Sequence, residues 1–130
     1  MGELAGIGID VVEVGRVRAL LARLPAAEER LFTRSERSYC RGFADPAMRF
    51  AARVAAKEAV GKALGTGIIV WREIEVGGGP QPCVHLRGAT EKTARRLGIQ
   101  RIELSLSHTA AQAVAVAAAI KEGGACSSHC

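Results

Sequence analysis

The segment opened by Asp45-Pro46 and closed by Gly65 constrains this fold more than any other, because it reads as one long helix whose apolar side is mostly alanine. Proline suits a helix's first turn, where its missing N–H costs nothing, and Asp45 before it suits the cap. Gly65 after Leu64 suits a left-handed terminator. Phe50, Val54 and Leu64 are its larger core candidates. Alanine fills little space, so whatever packs on this helix has to approach its backbone closely.

The helix carries its chemistry near its C-terminal end. At about 3.6 residues per turn, Glu58 and Lys62 share a face and Lys57 stands beside them. A second carboxylate, Asp10, breaks the apolar run Gly6-Ile-Gly8-Ile-Asp10-Val-Val. Magnesium takes oxygen ligands, commonly one or two carboxylates completed by waters and phosphate oxygens, and Asp10 with Glu58 would supply that pair. Lys57 and Lys62 would steady phosphate oxygens, and the amides of Gly65-Thr66-Gly67 would add donors. The same residues also fit a plainer arrangement, in which Asp10 caps a turn and Glu58 pairs with Lys62 on a solvated face. His108, in Ser105-Leu-Ser-His108-Thr109, fits a turn residue as well as a catalyst.

Gly6 and Gly8 do not make a dinucleotide fingerprint, whose glycines follow the strand and open a helix. Inside a strand they mark a close backbone approach. Leu4 to Val14 alternates as a strand, with Ile7, Ile9 and Val11 on one face and Asp10, Val12 and Val14 on the other. Gly15 ends it. A helix is expected from Arg16 to Leu24, stopped by Pro25, and Thr33-Arg-Ser-Glu36 has the capping-box pattern for another reaching about Gly42. Ile69 to Val76 and Cys83 to Leu86 read as strands joined by the Gly77–Pro80 turn, and Thr90 to Leu97 as a helix closed by Gly98. Ile102 to Ser107 and Ala113 to Ile120 read as paired strands, although periodicity alone also admits a helix for the second.

At 130 residues the chain is one domain's worth, and 1–122 is expected to form it, with 123–130 a flexible tail. No apolar run is long enough for a membrane span and the N-terminus does not resemble a signal peptide, so a cytoplasmic location is the default. Reduced thiols are expected at Cys40, Cys83, Cys126 and Cys130, which lack framework spacing, and the Cys126–Cys130 tail lacks a second pair of zinc ligands. Net charge is +5, with arginines clustered between Arg16 and Arg34. Such a cluster implies an acidic partner. With aromatics at 4% and no interleaving of aromatic and basic residues, an acidic protein is preferred over nucleic acid or a membrane.

Taken in order, the segments resemble those of the holo-acyl-carrier-protein synthases, the small bacterial 4'-phosphopantetheinyl transferases. The resemblance rests on Gly6-Ile-Gly-Ile-Asp10 followed by Arg16, Phe32-Thr-Arg-Ser-Glu36, Arg53 with Ala56-Lys57-Glu58-Ala59 and Lys62, Gly65-Thr66-Gly67, and Ser105-Leu-Ser-His108-Thr109. It implies an α+β fold with an antiparallel sheet against a long helix and shorter ones. It also implies transfer of phosphopantetheine from coenzyme A to a serine of apo acyl carrier protein, in a homotrimer with sites at subunit interfaces. By position, Asp10 and Glu58 would hold magnesium, with Lys62 acting beside them in catalysis. Lys57, Lys62, Gly65 and Thr66 would line the phosphates. Arg53, His108 and Thr109 would reach the nucleotide, and Arg16, Arg18, Arg23 and Arg30 would meet the acidic carrier. The alternatives are a non-catalytic basic module, for nucleic acid or an acidic protein, and a magnesium-dependent nucleotide hydrolase.

Overall fold

The computed structural model describes residues 2–79 and 81–122. Strand β1 (Gly2–Glu13) leads into helices α1 (Val14–Arg23), α2 (Ala26–Leu31), α3 (Arg34–Arg41) and α4 (Pro46–Leu64). A 3-10 turn (Trp71–Glu73), the hairpin β2 (Ile74–Val76) and β3 (Val84–Leu86), helix α5 (Gly88–Arg96) and strands β4 (Ile99–His108) and β5 (Gln112–Glu122) complete the order. The main sheet runs β1-β5-β4, antiparallel throughout, and α4 lies across it. The expected α+β architecture is the one observed.

Small side chains set the helix-to-sheet distance. Ala113, Ala115, Ala117 and Ala119 of β5 are fully buried, as are Ala51, Ala55, Ala56 and Ala59 of α4. On β1 the register places Gly8 opposite Ala117 and Gly6 opposite Ala119, so the glycines lie on this same face. A Cβ on Gly6 would stand 2.0 Å from the Ala63 carbonyl oxygen, and one on Gly8 2.0 Å from that of Ala59. The close approach read from the sequence is therefore to α4 itself. On the opposite face, Ile7, Ile9 and Val11 remain 53–63% exposed.

The helix ends divide between expected and unexpected solutions. Thr33 caps α3 in a full capping box with Glu36, and Gly65 ends α4 at φ +79°. Asp45 precedes α4 as expected, but its side chain makes no cap; both its oxygens accept from Arg18 instead, at 2.9 and 2.8 Å. Helix α1 begins at Val14, so Gly15 sits in its first turn and does not end the strand. The N-terminus of α5 is satisfied from outside the helix: Glu73 accepts from Ala89 N, Thr90 N and the Thr90 hydroxyl. These bonds hold the Glu73 carboxyl below its ordinary range, the Thr90 hydroxyl contributing most. Ala113–Ile120 is a strand, and the 69–76 segment is shorter than expected, with only Ile74–Val76 extended after the 3-10 turn.

Cys40 is a buried free thiol as expected, whereas Cys83 is disulfide-bonded, which corrects the expectation of a reduced thiol at that position. A bridge can form without a regular cysteine framework, so spacing could not show the one at Cys83. The Cys126–Cys130 tail lies outside the described residues. Among those residues no helix is long and apolar enough to cross a membrane.

Gly8→Ala should cost at least about 1–3 kcal/mol in urea denaturation, since the added methyl meets helix backbone and not a flexible side chain. Gly15→Ala is the control: its methyl would meet nothing within 4 Å, and alanine in a helix gains up to about 1 kcal/mol over glycine.

Candidate active site

The close packing of β1 on α4 brings Asp10, Glu58 and Lys62 together. Asp10 follows Gly8 on the helix-facing side of β1, and Glu58 and Lys62 are one turn apart on α4. The Lys62 ammonium donates to the Ile9 carbonyl at 2.9 Å and to Asp10 Oδ1 at 3.2 Å. Its side chain is half exposed, so the pair contributes little to stability and is free to rearrange. Glu58 is half-buried and its carboxyl is pushed above the ordinary range, first by burial and then by the Asp10 carboxylate, with Lys62 opposing.

Two carboxylates that repel each other beside an ammonium make a poor resting arrangement and a good cation site. Among the described residues no three His, Cys, Asp or Glu side chains gather to cage a metal. The oxygen pair of Asp10 and Glu58 fits magnesium, which leaves much of its shell to water and phosphate. Glu58 does not pair with Lys62 as the plainer reading had it; the lysine turns to Asp10.

Lys57 is not part of this cluster. One residue along a helix turns the side chain by about 100°, which carries Lys57 away from Glu58 and into the interior. Its ammonium is fully buried and donates to Leu31 O at 2.9 Å, Glu36 Oε1 at 2.8 Å and Trp71 O at 3.0 Å. All three protons are committed, so the expectation that Lys57 lines phosphates is corrected. Burial pulls its pKa down while the Glu36 carboxylate pulls it up. Glu36 was read from sequence only as a cap partner, yet it is itself 1% exposed and also accepts from Thr33 N and Val76 N.

The Gly65–Gly67 loop is also partly committed. Gly65 N donates to Lys62 O and Gly67 N to Gly61 O, leaving the Thr66 N–H as the one of the three without an internal partner among the described residues. Thr66 Oγ1 donates to the Gly67 carbonyl. Gly61 permits the loop's return, since a Cβ there would stand 2.7 Å from the Gly67 carbonyl carbon.

Arg53 lies on another side of α4, 4% exposed, its guanidinium 4.5 Å above the Tyr39 ring. Arg49 stacks likewise on Phe43 at 3.9 Å. Neither makes an ion pair among the described residues, and the Nε atoms of both lack hydrogen-bond partners. The i, i+4 spacing of Arg49, Arg53 and Lys57 on an otherwise alanine-rich helix was the signal for this second polar side. His108 ends β4, exposed, and Thr109 Oγ1 accepts from Ala111 N and Gln112 N to close the β4–β5 turn. Within one chain neither is brought to Asp10 and Glu58.

Arg16, Arg18, Arg23 and Arg30 are all exposed. Arg16, Leu20 and Arg23 fall on one stripe of α1, while Arg18 points away and is held by Asp45.

These features match known proteins along the chain. The family model of the 4'-phosphopantetheinyl transferase superfamily matches residues 6–119. The chain belongs to this family. It is 48% identical over 126 residues to the holo-[acyl-carrier-protein] synthase of Anaeromyxobacter sp. (strain K), covering 92% of this chain and 97% of that protein. The holo-[acyl-carrier-protein] synthase structure from Neisseria meningitidis superposes with a TM-score of 0.83 at 32% identity, over 90% of this chain and 98% of that one. That from Helicobacter pylori, solved in complex with coenzyme A, gives 0.76 at 30% identity over 87% and 98%.

A raised carboxyl pKa means the folded state disfavours the ionised form, so ionised Glu58 destabilises the protein at pH above that pKa. Glu58→Gln should raise Tm in calorimetry at pH 7–8, and the gain should shrink as the pH falls through the raised pKa and the wild-type carboxyl protonates.

Proposed function

We propose that this chain transfers the 4'-phosphopantetheine group from coenzyme A to a serine of apo acyl carrier protein, releasing adenosine 3',5'-bisphosphate, in a magnesium-dependent reaction. The observation that carries this reading is the meeting of Asp10, Glu58 and Lys62 where β1 touches α4, in a chain whose relatives are holo-[acyl-carrier-protein] synthases. The Helicobacter pylori structure binds coenzyme A, which supports coenzyme A as the donor here.

Magnesium bound by Asp10 and Glu58 would withdraw charge from the coenzyme A diphosphate. Lys62 is the half-exposed cation of the cluster: by leaving Asp10 for a phosphate oxygen it would add positive charge where the transition state accumulates negative charge. The carrier serine oxygen forms its bond to the phosphorus bearing pantetheine as the diphosphate P–O bond breaks, and its proton passes to a base. The Thr66 N–H, which has no internal partner among the described residues, would add a further donor. The exposed stripe of Arg16 and Arg23, with Leu20 between them, offers the acidic carrier both charge and apolar contact.

The homotrimer is part of this proposal. Ile7, Ile9 and Val11 form an exposed apolar row on the sheet face away from α4, beside the half-buried Val114 and Val116. An open face of this kind marks an association surface. Subunit contact is also the way His108, Thr109 and Arg53 would reach a nucleotide held at Asp10 and Glu58 of a neighbour.

Incubation with coenzyme A, magnesium and an apo carrier should add the pantetheine arm to the carrier, read by mass. An unmodified carrier with hydrolysed coenzyme A would mean a hydrolase, and binding without turnover a non-catalytic basic module. Asp10→Ala and Glu58→Ala should each abolish turnover in a folded protein, and Arg16→Glu should weaken carrier binding while leaving coenzyme A affinity unchanged. Sedimentation should give three times the chain mass, and Ile9→Glu should reduce it to the monomer; a wild-type monomer would refute the shared site.

A further inference from the structure

We propose that Lys57 is a positioning residue for the active site, tying the Trp71 carbonyl to α4 and so holding the Gly65–Val70 segment in place beside Glu58 and Lys62. The inference rests on the function proposed above. An ammonium whose three protons are already taken by Leu31 O, Glu36 Oε1 and Trp71 O has none left for a phosphate, so any effect it has on coenzyme A passes through what it holds. Its three acceptors come from the end of α2, from α3 and from the 3-10 turn. The last of these is where the loop after α4 ends.

Little else restrains that loop. At its start Gly65 N and Gly67 N bond back to Lys62 O and Gly61 O. Beyond them Ile68 packs, partly buried, against the core, but Ile69 and Val70 are 44% and 43% exposed, so apolar burial holds only the middle of the loop. The next anchor is Trp71 O on Lys57, followed by Glu73 N on Val70 O. Glu36 completes the device: it grips Lys57 with one carboxylate oxygen and the Val76 N–H with the other, fixing the ammonium relative to the strand that follows the loop. The pair thus sets where the far end of the loop, at Trp71, is held against α4, although neither Lys57 nor Glu36 touches substrate.

The test is the neutral double variant Glu36→Gln/Lys57→Met, which leaves no unpaired buried charge. Amide exchange without any ligand, read at Gly67 N and Glu73 N, should quicken about tenfold relative to the β4–β5 amides, the scale of one lost hydrogen bond. KM for coenzyme A should rise by a similar factor while kcat at saturation stays within about threefold. Unchanged loop exchange with a raised KM would mean direct phosphate contact and overturn the inference, as would general loss of protection with KM unchanged. Should the double variant not fold, native-state exchange of the wild type decides. The Glu73 amide must then open together with the α3 amides, and its opening independently of α3 overturns the inference. A wild type that does not turn over coenzyme A defeats the proposed function, and the exchange result still decides whether Lys57 holds the loop.

Discussion

The buried ion pair of Glu36 and Lys57 is the interaction on which the arrangement of the rest depends. Removing two charges from water is costly and their mutual attraction barely offsets it, so such a pair persists only when every remaining donor and acceptor is satisfied. Here the five bonds around the two groups reach the end of α2, the start of α3, α4, the 3-10 turn and β2. Loss of one partner would leave the other charged and unpaired in the interior, at a cost of about 3–5 kcal/mol. The pair therefore acts as a registration point: elements far apart in sequence can meet there in one way.

The second constraint is size. Glycine on β1 and alanine on β5 and α4 let the helix backbone approach the sheet closely enough for a strand carboxylate and a helix carboxylate to sense each other. Larger side chains at those positions would bury more apolar area and separate Asp10 from Glu58. The site's electrostatic tension and the thinness of the core thus have one cause. Stability is supplied elsewhere, by Phe32 and Phe50 packed 4.7 Å apart and by the bulky residues Val14, Val60 and Ile74.

Much of this was legible in the sequence where local rules suffice. The Pro46 start and Gly65 stop of α4, the Thr33 capping box, the hairpin strand β5 and the glycines of close approach follow from short-range chemistry. Asp10 and Glu58 could be paired because each is an anomaly, one in an apolar strand and one on an alanine helix. Lys57 escapes local rules because adjacency in sequence is not adjacency in space: its neighbour Glu58 faces another side of the helix. A cap is the local option for Asp45, and the longer-range partner Arg18 wins over it. The outside capping of α5 by Glu73 has no local signature at all, since the carboxylate comes from a different element.

Strand β1 alternates between two tasks: even-numbered positions Gly6, Gly8 and Asp10 meet α4, and odd-numbered Ile7, Ile9 and Val11 face outward. A pleated strand has no intermediate setting, so sliding β1 by one residue against β5 would exchange the two sets completely, putting isoleucine where the carboxylate belongs and the carboxylate into the oily exterior. The irregularity in pairing between Leu4 and Gly6 is the only point along β1 where the alignment is reset. A one-residue insertion or deletion before that kink shifts only the short paired start of the strand, whereas the same edit between Gly6 and Asp10 inverts the inside and outside of the segment that carries the site.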